Sequence, residues 1–157
     1  MTASQEEGYK NAEAFARLRD EQFSLYEDYA RKHGINSKSL VVLMWLYHMP
    51  KGITQETIAK RTLSTKQVVG KIIRNLQAKD YVSLKPSSKD KRKKLVYLTP
   101  SGRAYAKDII LPLKEGEGRA MAQLTSKEQD LLLKLFEKYS QGVSQAFEQL
   151  TGDWYAK

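Results

Sequence analysis

Apolar residues recur at three- and four-residue intervals near both ends of the chain, and alternate with polar ones over two short stretches past its middle. From about Tyr9 to Lys32 the positions Ala12, Phe15, Leu18, Phe23, Leu25, Tyr26, Tyr29 and Ala30 follow the helical period and stop before Gly34, predicting a long amphipathic first helix. Ile35-Asn36-Ser37 then offers a cap, with Ile35 and Leu40 at staple positions. Leu40 to Met49 is apolar nearly all round until Pro50 and Gly52, as a buried helix would be. Thr54 is a good N-cap for a short helix through about Arg61, whose apolar side is Ile58 and Ala59.

Ser64-Thr65-Lys66-Gln67 reads as a capping box that starts a further helix at Thr65, with Leu63 stapling Val68. The helical period puts Val68, Val69, Ile72, Ile73 and Leu76 inward and Lys66, Gln67, Gly70, Lys71, Arg74 and Asn75 outward. Tyr81 to Pro86 and Leu95 to Thr99 alternate, with Val82, Leu84, Val96 and Leu98 inward, and predict an antiparallel hairpin. The connection Ser87 to Lys94 is too polar to bury. Thr99 caps a helix with Pro100 at its first position, and Pro112 predicts a kink with Gly116 and Gly118 weakening the turns beyond. Thr125 to Glu128 is another capping box, followed by the stripe Leu132, Leu135, Phe136, Tyr139, Val143, Phe147 and Leu150.

Charge changes this picture from a fold to a binding surface. The 157 residues carry a net charge of +9, and the excess sits between Thr54 and Arg103, where nine Lys and four Arg face Glu56, Asp80 and Asp90. Such a patch attracts polyanions through counterion release, which makes nucleic acid the leading partner. The absence of cysteine excludes disulfides, thiolate metal sites and thiol redox sensing. No stretch has the length and apolarity of a membrane span or a secretory leader, so a cytoplasmic protein without membrane contact is expected. His33 and His48 have no close histidine partner, and neither a metal site, a cofactor, a nucleophile motif nor a phosphate-cradling glycine loop is apparent. An enzyme is therefore not expected.

Two short helices with a tight turn, the second apolar on one side and cationic on the other, are the parts of a helix-turn-helix. Its second helix fits a major groove. Lys66 or Lys71 can reach guanine, Thr65 a thymine, and Arg74 a phosphate. Gln67 either completes the capping box or pairs with adenine. In the hairpin loop, Lys89, Asp90, Lys91, Arg92, Lys93 and Lys94 form a basic tip whose arginine suits a narrow minor groove, while Asp90 orients Arg92 or caps the turn.

The succession of Thr54 to Arg61, Ser64 to Lys79 and Asp90-x-Arg92, followed by Val96-x-Leu98-Thr99-x-x-Gly102, resembles the MarR-type transcriptional regulators. The resemblance implies a mainly α winged helix-turn-helix with a small antiparallel β-hairpin, flanked by N- and C-terminal dimerisation helices. It also implies a homodimer on a pseudo-palindromic operator of double-stranded DNA, commonly a repressor released by a small ligand. One departure is Asp80, at the position after the recognition helix where the family often has glycine.

The expected organisation is residues 1–35 as an N-terminal dimerisation helix, 36–103 as the winged domain and 104–157 as C-terminal dimerisation helices. The two terminal apolar stripes are too extensive for one small winged domain to cover and call for a second copy. Tyr26, Tyr29, Trp45, Tyr47, His48 and Met49 concentrate where the first two helices should meet; they either pack as core or line a cleft for a small aromatic or apolar effector. The alternative to a specific regulator is a winged-helix module for protein or non-specific nucleic acid.

Overall fold

The helices begin where short-range cap chemistry directs. In this computed structural model, which describes residues 2–88 and 90–151, the order is α1 (Ala3–Lys32), α2 (Ser37–His48), β1 (Ile53–Thr54), α3 (Gln55–Arg61), α4 (Lys66–Ala78), β2 (Val82–Pro86), β3 (Lys94–Leu98), α5 (Pro100–Met121) and α6 (Ser126–Thr151). Asn36, Thr54 and Thr65 each accept a backbone N–H three residues on, capping α2, α3 and α4. α1 starts six residues earlier than the apolar period suggests. Its capping box pairs Thr2 with Gln5, and residues 3–8 are mostly polar, so periodicity could not register that turn.

Met1–Leu111 and Pro112–Lys157 form two compact units. In the first, the core gathers Val42 and Leu46 of α2, Ile58 of α3, Val69, Ile72 and Ile73 of α4, and Val82 and Val96 of the sheet. The sheet has three strands, in the order β1-β3-β2, one more than the predicted hairpin. β1 is two residues long and pairs Ile53 with Val96, a non-local contact with no local sequence signature. The hairpin itself places Val82 opposite Leu98 and Leu84 opposite Val96, so the inward residues share a face as expected.

The start of α5 is locked to the end of α4. Thr99 Oγ1 accepts the Gly102 N–H at 3.0 Å and donates to the Asp80 carbonyl at 2.6 Å, to which Ser101 Oγ also donates at 2.9 Å. A Cβ on Gly102 would overlap the Tyr81 carbonyl, so only glycine lets the helix approach this closely. Tyr105 stacks on Tyr81 at 4.3 Å, and Ala106, Ile109 and Ile110 are buried. Tyr29 of α1 donates its hydroxyl to the Ile109 carbonyl at 2.7 Å, and burial pushes its phenol above the usual range.

In the second unit the helix continues through Pro112, Gly116 and Gly118 to Met121. Thr125 begins α6 as a capping box. Its N–H donates to Glu128 at 2.7 Å, which holds that carboxyl below the usual carboxylate range. The α6 stripe is largely exposed, with Leu132 at 45%, Leu135 at 55% and Leu150 at 79%. On α1, Leu18, Phe23 and Leu25 are exposed as well. Among the described residues no helix is long and apolar enough to cross a membrane.

Candidate nucleic-acid interface

α4 is built with two unlike faces. Val69, Gly70, Ile72, Ile73 and Leu76 are buried, and Lys66, Gln67, Lys71, Arg74 and Asn75 are exposed. Two expectations are corrected here. Val68 is 41% exposed instead of inward, and Gly70 is buried instead of outward, covered by Arg74 and by Gln55 of α3.

The cap also differs from the expected one, for a physical reason. A capping box at Ser64 requires its backbone N–H to receive the Gln67 side chain, but that N–H is spent on the Ala59 carbonyl at 3.0 Å, finishing α3. Thr65 caps α4 instead, through Val68 N–H at 3.2 Å, and Ser64 Oγ turns to the Thr62 carbonyl. Gln67 is thereby released. Its side chain makes no hydrogen bond among the described residues, and of its two expected roles the cap is eliminated. Leu63 does not staple Val68; it is 90% exposed.

The wing tip is a hydrogen-bonded turn. Lys93 N–H donates to the Asp90 carbonyl at 2.9 Å, and Ser87 N–H donates to the Lys93 carbonyl at 2.8 Å, extending the hairpin past its last strand pair. Asp90 Oδ1 accepts the Arg92 N–H at 3.1 Å and lies 3.5 Å from Arg92 Nε. The aspartate thus shapes the turn, as expected, and an ion pair this exposed adds little stability. The Arg92 side chain is 93% exposed, so its guanidinium remains open to a ligand. Lys91, Lys93 and Lys94 are exposed too, and Lys89 lies outside the described residues.

Acidic groups neutralise little of this surface. Glu56 pairs with Lys60 at 3.6 Å and Asp90 with Arg92, while no ion pair engages Lys66, Lys71, Arg74, Lys91, Lys93 or Lys94 among the described residues. Three further cations are positioned by aromatic rings, which local sequence patterns could not reveal. Arg61 lies 4.4 Å over Trp45, Arg103 lies 5.2 Å over Tyr47 and Lys85 Nζ lies 5.6 Å over Tyr97.

Those contacts also redistribute the six residues expected around an effector cleft. Trp45 and Tyr47 lie under arginines, His48 is exposed beside Tyr47, and Met49 packs on the core. Tyr29 is tied to Ile109 and its ring meets His33; Tyr26 is half-buried on α1. None of the six lines the cavity of about 410 Å³ in the first unit. That cavity lies behind α4, between Ile35, Ile72, Leu76 and Tyr105, with Arg31 and Lys79 as its charged members.

Comparison with known proteins places this geometry. The sequence model of the MarR family matches residues 33–93, which span α2 through the wing tip. This segment belongs to the MarR family. The MarR-type fold extends over most of the chain. Staphylococcus aureus MepR, solved in its DNA-binding conformation, is 23% identical with a TM-score of 0.72, over 85% of this chain and 98% of that one. MepR in complex with DNA is likewise 23% identical, with a TM-score of 0.68 over 85% and 97% of the two chains. A MarR family transcription regulator of 19% identity gives a TM-score of 0.70 over 96% of each chain. Comparison with curated protein sequences finds no match.

Proposed function

We propose that this MarR-type chain is a sequence-specific DNA-binding transcription regulator. The observation that carries the reading is α4, whose cationic and amide side chains stand exposed opposite a fully buried face, in the same domain as a basic wing. Gln67, Lys66 and Lys71 read base edges, Thr65 lends its methyl while its hydroxyl caps the helix, and Arg74 grips phosphate. Arg92 enters the minor groove and Lys89, Lys91, Lys93 and Lys94 hold the backbone. The solved MepR–DNA complex, on the same fold, supports this assignment.

The working unit is a homodimer. The apolar stripes of α1 and α6, left exposed in one chain, support that reading, because exposed patches of this extent mark contact sites. Two copies bind a pseudo-palindrome whose half-sites lie about one helical turn, ~10 bp, apart, and their occupancy represses the adjoining gene. A small aromatic or apolar effector releases them. The cavity behind α4 has a volume suited to such a compound, and filling it would bias the pose of the recognition helix.

Selection of duplexes from a random pool tests the reading. Enrichment of one palindromic motif, lost on substituting Gln67 or Lys66 at a single position of each half-site, is the expected outcome. A pool that enriches nothing would leave a module for protein or non-specific nucleic acid.

A further inference from the structure

Three helices of the first unit end in the same way. α1, α3 and α4 each close with a left-handed residue whose N–H, and that of the next residue, reach back to the last turn. The left-handed positions are Gly34 at φ +71°, Leu63 at φ +47° and Asp80 at φ +57°. Glycine adopts this conformation freely and aspartate can offset it by local hydrogen bonding, but leucine has neither recourse. Leucine at this position also gains nothing from burial, being 90% exposed. The closing hydrogen bonds of α3 account for the left-handed backbone, but nothing in the fold accounts for an unburied leucine bearing it, and such outliers point to function.

The location indicates which function. Leu63 occupies the turn of the helix-turn-helix, two residues before the cap of α4, and Val68, the third residue of α4, is the other apolar side chain exposed there. Around them stand Lys66, Gln67 and Lys71, all exposed and without an ion pair among the described residues. A cationic rim of this kind selects a polyanion over a protein partner, and the apolar group that duplex DNA presents in its major groove is the thymine 5-methyl. We infer that Leu63, together with the exposed Val68, reads thymine methyl groups at the edge of the half-site, adding apolar selection to the hydrogen bonds of the recognition helix. This rests on the DNA-binding reading above.

Single replacement of thymine by deoxyuridine removes the methyl and leaves the base-pair hydrogen bonds intact, so it isolates this contact. With the full chain and the tightest duplex selected from a random pool, one or two deoxyuridine positions per half-site should weaken the wild-type protein roughly fourfold each, the worth of one buried methyl. Leu63→Ala and Leu63→Gly should bind the thymine duplex more weakly and lose that sensitivity at one of the positions. Leu63→Gly should melt no lower than wild type, since glycine relieves the turn, which separates reading from folding. Variants that bind as wild type does, or that keep its full deoxyuridine sensitivity, would overturn the inference while leaving a specific DNA binder. A wild-type chain that selects no duplex would overturn both readings.

Discussion

Asp80 shows how one side chain can be poor for the backbone and still be retained. It takes the left-handed position after α4, and its carbonyl collects the Thr99 and Ser101 hydroxyls that start α5. Those bonds use only the main-chain carbonyl of Asp80, so Asp80→Gly should keep them while relieving the left-handed strain. The expected gain is about 1 kcal/mol, a rise of roughly 2–4 °C in a thermal melt. An unchanged or lower melting temperature would mean that the carboxylate contributes something the hydrogen bonds do not show. The position was legible in the sequence because it follows a helix of clear periodicity. The cap of α4 was not, because Thr65 and Ser64 are equally good cap residues and the choice is made by α3, whose ending consumes the Ser64 N–H.

Among the elements, the proposed function divides the labour of the wing between one arginine and several lysines. Arg92 stands out from a turn fixed by Asp90, whereas Lys91, Lys93 and Lys94 are exposed and flexible point charges. Arg92→Ala should weaken binding most on duplexes with A·T-rich flanks, by about 1–3 kcal/mol. Each lysine neutralisation should weaken all duplexes alike and lower the salt dependence by about one ion. Titrations over a series of salt concentrations on A·T- and G·C-flanked duplexes separate the two behaviours, and identical behaviour would refute the division. The hairpin was legible from alternation because neighbours in sequence become neighbours across a short turn. β1 was not, since its two residues pair with Val96 and Leu95 some forty positions away, and the rings beneath Arg61 and Arg103 are likewise not their sequence neighbours.

For the whole molecule, the proposed function sets two requirements: a surface for DNA and a second copy to match a palindrome. Leu132 and Leu135 lie three residues apart on the exposed stripe of α6, so charging both should abolish self-association without lowering helix content. Sedimentation of Leu132→Glu/Leu135→Glu should give a monomer where the parent chain gives a dimer, and a dimeric variant would place the interface elsewhere. The apolar stripes were plain in the sequence, but the cavity was not. Aromatic residues close in sequence were taken up by Ile109 and by arginines, while the cavity is lined by the α1–α2 turn together with α4 and Tyr105 of α5, segments far apart in sequence. The most direct measurement of the central claim is fluorescence-anisotropy titration of the full chain against a selected palindromic duplex and its scrambled counterpart at two salt concentrations. Tighter, saturable binding to the palindrome that survives the higher salt is the expected result. Equal affinities that collapse together as salt rises would contradict it.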